Sequence, residues 1–124
     1  MKDFSFRDGD RILENLLSSD YKEDKYVFTK HFIEQAIKRK IDINYIKLML
    51  LYYEPLGILS SRRNRFKVFY PSQFSDNHDL ILVIAIDDDE KIVGITTYED
   101  VKSHREGLEW WLGILKWIRI MIIH

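Results

Sequence analysis

The sequence predicts an α+β fold in which N-terminal helices pack on a three- to four-stranded antiparallel sheet, with an extra apolar helix at the C-terminus. Three observations predict it. Helical apolar spacing marks the first half of the chain, where Phe32, Ile33, Ala36 and Ile37 share one side. Alternating or continuous β-rich runs mark the second half, at Arg65 to Tyr70, Leu80 to Ile86 and Ile92 to Tyr98. Helices first and strands later is the order of an α+β fold, not of a βαβ sheet.

Asp8 or Asp10 caps a short helix through Arg11 to Leu17, and the polar stretch Ser18 to Lys25 reads as a loop. Tyr26-Val27-Phe28 has the composition of a brief strand. Thr29 then stands as N-cap to a helix over Lys30 to Lys40. Asp42 or Asn44 caps a second helix from Ile43 to Tyr53, which Pro55 and Gly57 end. That helix is apolar almost all round, as expected of one central to a core or covered by another subunit. Arg65 to Tyr70 alternates, with Phe66, Val68 and Tyr70 opposite Arg65, Lys67 and Phe69. Pro71 to His78 is a polar loop, Leu80 to Ile86 the central strand, and Asp87 to Glu90 the turn into its hairpin partner, Ile92 to Tyr98. Ser103 and Glu106 have capping-box spacing before an apolar segment that contains Trp110, Trp111 and Trp117.

A chain of 124 residues is expected to be one domain, with a core over 26–98, a helix and loop over 1–25 and an apolar helix over 103–124. An apolar fraction of 46% excludes wholesale disorder. The lack of cysteine excludes a disulfide framework and any thiolate zinc site, and it suits the cytoplasm. Met1 to Arg11 carries acidic residues and no apolar run, so no secretory signal is expected. Lys116 and Arg119 interrupt the tail, so it is not expected to span a membrane.

Net charge is −1, but its distribution is uneven. Residues 30–67 carry nine Lys/Arg against Glu34, Asp42 and Glu54, whereas residues 68–100 carry eight acids against Lys91 alone. Either one basic surface for phosphates exists on a neutral protein, or the two blocks pair with each other across the fold.

Candidate chemistry falls in four places. His31, Glu34, Gln35, Lys38 and Arg39 share the polar face of the first long helix. His31 stands in the first turn beside Lys30, where unpaired N–H groups favour an anion, and reads as an acid/base near a phosphate or as a surface histidine. Arg62, Arg63, Arg65 and Lys67 supply guanidinium forks and a further cation for phosphate oxygens, or an ordinary charged edge strand. The acidic turn Asp87 to Glu90 reads as a Mg²⁺ ligand set or, better, as a solvated hairpin turn. The tail, through Trp110, Trp111 and Trp117, reads as a packing surface within the chain, between subunits or at a membrane surface.

The run from Phe28 through Thr29-Lys30-His31 to Arg39-Lys40-Ile41-Asp42 resembles the opening of a small prokaryotic family catalogued as domain of unknown function 4258. In that family a strand leads into Ser/Thr-x-His, with an arginine eight residues after the histidine. Ile92 to Tyr98 is similar to its closing strand, and Phe32 and Lys40 replace its usual Ala and Gly. The resemblance implies a RelE-like, barnase-type fold and a toxin-type ribonuclease that cuts RNA without metal or other cofactor. His31 would be the acid/base, Arg39 and Arg65 would hold phosphate charge, and Thr97 or Tyr98 would assist from the last strand. Lys30, Lys38, Arg62, Arg63 and Lys67 would bind the RNA, for example ribosome-bound mRNA, and an antitoxin protein would be the partner. The alternative expectation is a non-enzymatic oligomerising or partner-binding module, built on the apolar second helix and the Trp-rich tail.

Overall fold

The computed structural model describes residues 26–53, 55–62, 65–87 and 91–107. The expected helix over Arg11 to Leu17, the loop to Lys25, most of the acidic turn and the apolar segment after 107 lie outside them. Strand β1 (Tyr26–Phe28) leads into helix α1 (Lys30–Lys38), and helix α2 (Ile43–Tyr52) follows. Four strands succeed it: β2 (Gly57–Arg62), β3 (Arg65–Pro71), β4 (His78–Ile86) and β5 (Ile92–Val101). A third helix, α3, occupies residues 102–107 of the described chain.

The strands form one five-stranded sheet in the order β1-β5-β4-β3-β2. It is mixed. β1 runs parallel to β5, with Tyr26 opposite Ile92 and Phe28 opposite Gly94, while every other pairing is antiparallel. The expected three- to four-stranded antiparallel sheet is therefore corrected on two points. β1 has only three residues, and it pairs parallel to β5, from which two helices and three strands separate it in the chain. β2 is the strand not foreseen, because Gly57-Ile58-Leu59-Ser60-Ser61 follows a proline and does not alternate.

Caps delimit the helices. Thr29 Oγ1 accepts the Phe32 N–H at 3.1 Å, and Asp42 Oδ1 accepts the Asn44 N–H at 2.8 Å. Helix α1 stops at Lys38, short of the expected Lys40, through a two-bond C-terminal motif. The Lys40 N–H donates to the Ile37 carbonyl and the Ile41 N–H to the Ala36 carbonyl. This geometry places Lys40 in the left-handed region, at φ 58, a conformation that costs an L-residue about 1 kcal/mol relative to glycine. Helix α3 begins at Lys102, one residue before the expected cap at Ser103.

Both long helices lie on one face of the sheet. Phe32, Ala36, Ile46, Met49 and Leu50 pack there against Ile58, Phe66, Val68, Tyr70, Leu80, Leu82, Ile84 and Ile92. Helix α2 buries only one side, leaving Leu48 and Tyr52 exposed. The closest approach is at Gly94. Phe28 and Phe32 stack at 5.0 Å over it, and a Cβ added there would meet Phe32 at 2.9 Å and Phe28 at 3.0 Å. A bulge between Val83 and Ile84 shifts the β5 register just beyond this glycine. On the opposite face a smaller cluster of Leu59, Phe69 and Ile81 packs against Tyr98.

Two stability outcomes follow. Lys40→Gly relieves the left-handed strain and raises folding stability by about 1 kcal/mol in chemical denaturation; a destabilised variant would contradict the motif. Gly94→Ala forces its methyl into the Phe28–Phe32 stack and lowers stability by about 1–3 kcal/mol, measured the same way.

Candidate functional site

Side chains alternate across a strand, so β3 sends Phe66, Val68 and Tyr70 to the helices and Arg65, Lys67 and Phe69 to the other face, where Phe69 is buried with Leu59 and Ile81. The β4–β5 register sends Tyr98 and Asp100 to that same face, because Tyr98 lies opposite Ile81 and Asp100 opposite Asp79. Lys67 pairs with Val83, which pairs with Thr96, so lysine and tyrosine occupy neighbouring rows. The Lys67 ammonium lies 5.6 Å from the centre of the Tyr98 ring.

Arg39 reaches the tyrosine from the helix layer. β1 covers β5 only as far as Gly94, and among the described residues no strand pairs with the edge of β5 beyond it. Arg39 stands at the C-cap of α1 and donates to the Thr97 carbonyl at 2.6 Å, with Thr96 Oγ1 at 3.5 Å. Its guanidinium carbon is then 5.9 Å from the Tyr98 ring centre. Tyr98 thus carries a cation on the β5 edge and another across the sheet. Each contact is worth about 0.5–1 kcal/mol at a wet site, and both cations keep donors for other oxygens.

The far end of the face is a charge network. The Arg105 Nε donates to Asp79 Oδ2 at 2.7 Å, and both side chains are nearly buried, at 11% and 3% exposure. His104 Nδ1 lies 2.9 Å from Asp100 Oδ2. The hydrogen bond from His104, assisted by the Val101 N–H and the nearby Lys67 charge, holds the Asp100 carboxyl below its ordinary range. Asp79, Asp100, His104 and Arg105 were not foreseen in the sequence. The Arg105–Asp79 pair spans 26 positions and leaves no local signal. The Asp100–His104 spacing is visible, but it straddles a strand end and a helix start, where neither periodicity applies.

The residues expected to act divide accordingly. Arg39 and Tyr98 meet, Lys67 joins them, and Arg65 is exposed on the same face two residues from Lys67. His31 does not join them. It is exposed in the first turn of α1, within the helix layer, about 12 Å of helix rise before Arg39. Thr97 is fully buried, and its hydroxyl donates to the Ile81 carbonyl at 2.9 Å, tying β5 to β4. Lys30 pairs with Glu34 at 3.8 Å on the surface, and Lys38 is exposed in the last turn of α1. Arg62 lies on β2 opposite Arg65, while Arg63, Trp110, Trp111 and Trp117 fall outside the described residues.

The MJ0788 family matches residues 10–84, well over half of the chain. The chain belongs to that family. This overturns the resemblance to domain of unknown function 4258, whose short strand–helix motif is shared by Thr29, His31 and Arg39 without common membership. The MJ0788 match takes in Arg39, Lys67 and Asp79, whereas Tyr98, Asp100 and His104 lie beyond it. No curated protein and no solved structure gives a significant match. Among the described residues no helix is long and apolar enough to cross a membrane.

Arg105→Ala leaves the Asp79 carboxylate buried without its guanidinium and lowers folding stability by about 3–5 kcal/mol. Denaturant unfolding measures this, and a loss below about 1 kcal/mol would show that the pair does not anchor α3.

Proposed function

We propose that the half-exposed rim of the sheet around Tyr98, Arg39, Lys67 and Arg65 binds single-stranded RNA. The observation that carries this reading is the half-buried Tyr98 ring with the Arg39 and Lys67 cations 5.9 and 5.6 Å from its centre. A half-buried aromatic ring offers a base a stacking surface, while flanking cations take the phosphates on either side. Arg65 extends the cationic track by one strand repeat, about 7 Å, close to the spacing of successive phosphates. Stacking requires unpaired bases, which favours a single strand over a duplex. The overall charge of −1 is no obstacle, since the cations are gathered locally.

The test is fluorescence anisotropy of a labelled single-stranded oligoribonucleotide against the full chain at two salt concentrations. Tyr98→Ala weakens binding about tenfold or more, the cost of one lost stack. Lys67→Ala weakens it and reduces the salt slope by about one. Failure of the wild-type protein to bind at low salt, or unchanged affinity in both variants, would remove the reading.

A further inference from the structure

We infer that the segment 108–124 packs on the second face of the sheet, over Leu59, Phe69 and Ile81 and against the inner side of Tyr98. The inference is independent of the RNA-binding reading.

Leu59, Phe69 and Ile81 are 1%, 5% and 2% exposed, on the face turned away from α1 and α2. Side chains stand roughly perpendicular to a sheet, so neighbours within it shield their flanks and leave their tips open. Exposure this low needs a second layer over the tips, as any sheet with apolar side chains on both faces does. Among the described residues Tyr98 is the apolar side chain that packs against this cluster, and it belongs to the same sheet. Helix α3 is tied to the start of β4, where the Lys102 N–H donates to the Asn77 carbonyl and Arg105 pairs with Asp79. Leu59 lies two strand spacings across and four residues along from Asp79, about 17 Å away. The cover over Leu59 therefore comes from chain outside the described residues or from another molecule.

Three observations assign it to 108–124. The chain leaves α3 on the covered face, because Arg105 reaches Asp79 there with both side chains nearly buried. The segment that follows carries Glu109, Lys116 and Arg119 as its charged residues and is otherwise almost wholly apolar, so it gains most by leaving water. Even at the helical rise of about 1.5 Å per residue it reaches about 25 Å, enough to pass Leu59. The chain before β1 is worse placed. It enters the sheet at the edge opposite β2, through the polar stretch Ser18 to Lys25. Two copies meeting face to face would leave both apolar segments still to be buried.

The three tryptophans of the chain, Trp110, Trp111 and Trp117, all fall in this segment, and the chain has no cysteine. Tryptophan emission and a single engineered label therefore report on the segment directly. In the folded full chain the emission is expected to be blue-shifted, with acrylamide quenching several-fold weaker than in the denatured chain. Arg65→Cys carries a nitroxide beside the second face, and Ile37→Cys carries one on α1, where the side chain is 70% exposed. Both positions are exposed, so both variants fold, and circular dichroism checks this. The label at position 65 quenches the tryptophan emission several-fold, and reduction by ascorbate restores it. The label at position 37 leaves it unchanged, and both results hold from dilute to concentrated protein. Tryptophans open to acrylamide in the folded chain, or emission that the label at position 65 leaves untouched, overturn the inference. Equal quenching from position 37 places the segment elsewhere and overturns it too. Quenching that appears only as concentration rises assigns the cover to a second copy, which also overturns it.

Discussion

Among the described residues no strand pairs with β5 at Thr97, and Arg39 donates to the carbonyl there. β1 is three residues long and ends at Phe28, so the parallel pairing with β5 stops at Gly94. A backbone acceptor on an uncovered edge is satisfied by water, a side chain or a partner. Arg39 is in position because α1 ends there, and α1 ends there because Lys40 takes the left-handed conformation that turns the chain toward α2. The same hydrogen bond holds the guanidinium beside Tyr98. Edge satisfaction and the cation–aromatic platform are therefore one interaction seen from two sides.

The position of α1 depends in turn on Gly94. A helix carrying Phe32 sits this close to β5 only where the strand has no side chain. Thr29 reinforces the seat, its N–H donating to the Gly94 carbonyl at 3.2 Å. The bulge at Val83/Ile84 then resets the alternation of β5, so that Thr97 points inward and Tyr98 outward. A strand without that extra residue would exchange the two and turn the ring toward the helices.

The uneven charge of the chain resolves into a mixed outcome. Some basic-block residues remain on the surface, as Arg65 does, while the Lys67 charge helps hold the carboxyl of Asp100, in the acidic block, below its ordinary range. Asp79, the most buried acid among the described residues, is neutralised by Arg105, which belongs to neither block. Sequence neighbourhood sets the charge density of a segment, but partners are chosen by strand register and by where α3 folds back.

Local features were legible in the sequence because their causes are local. Thr29 caps its helix as read, Asp42 is the one of two candidates that caps the next, the alternation of β3 separates Phe66, Val68 and Tyr70 from Arg65 and Lys67, and the hairpin of β4 and β5 follows from two β-rich runs with a turn between them. Tertiary structure alone decided the rest. The parallel seat of β1, the presence of β2, the burial of the Thr97 hydroxyl and the separation of His31 from Arg65 depend on pairings between segments far apart in the chain. So does the meeting of Arg39, Tyr98 and Lys67. Side-chain periodicity says which residues share a face of one element, whereas which faces meet is set by register, by a bulge and by one glycine that lets a helix approach.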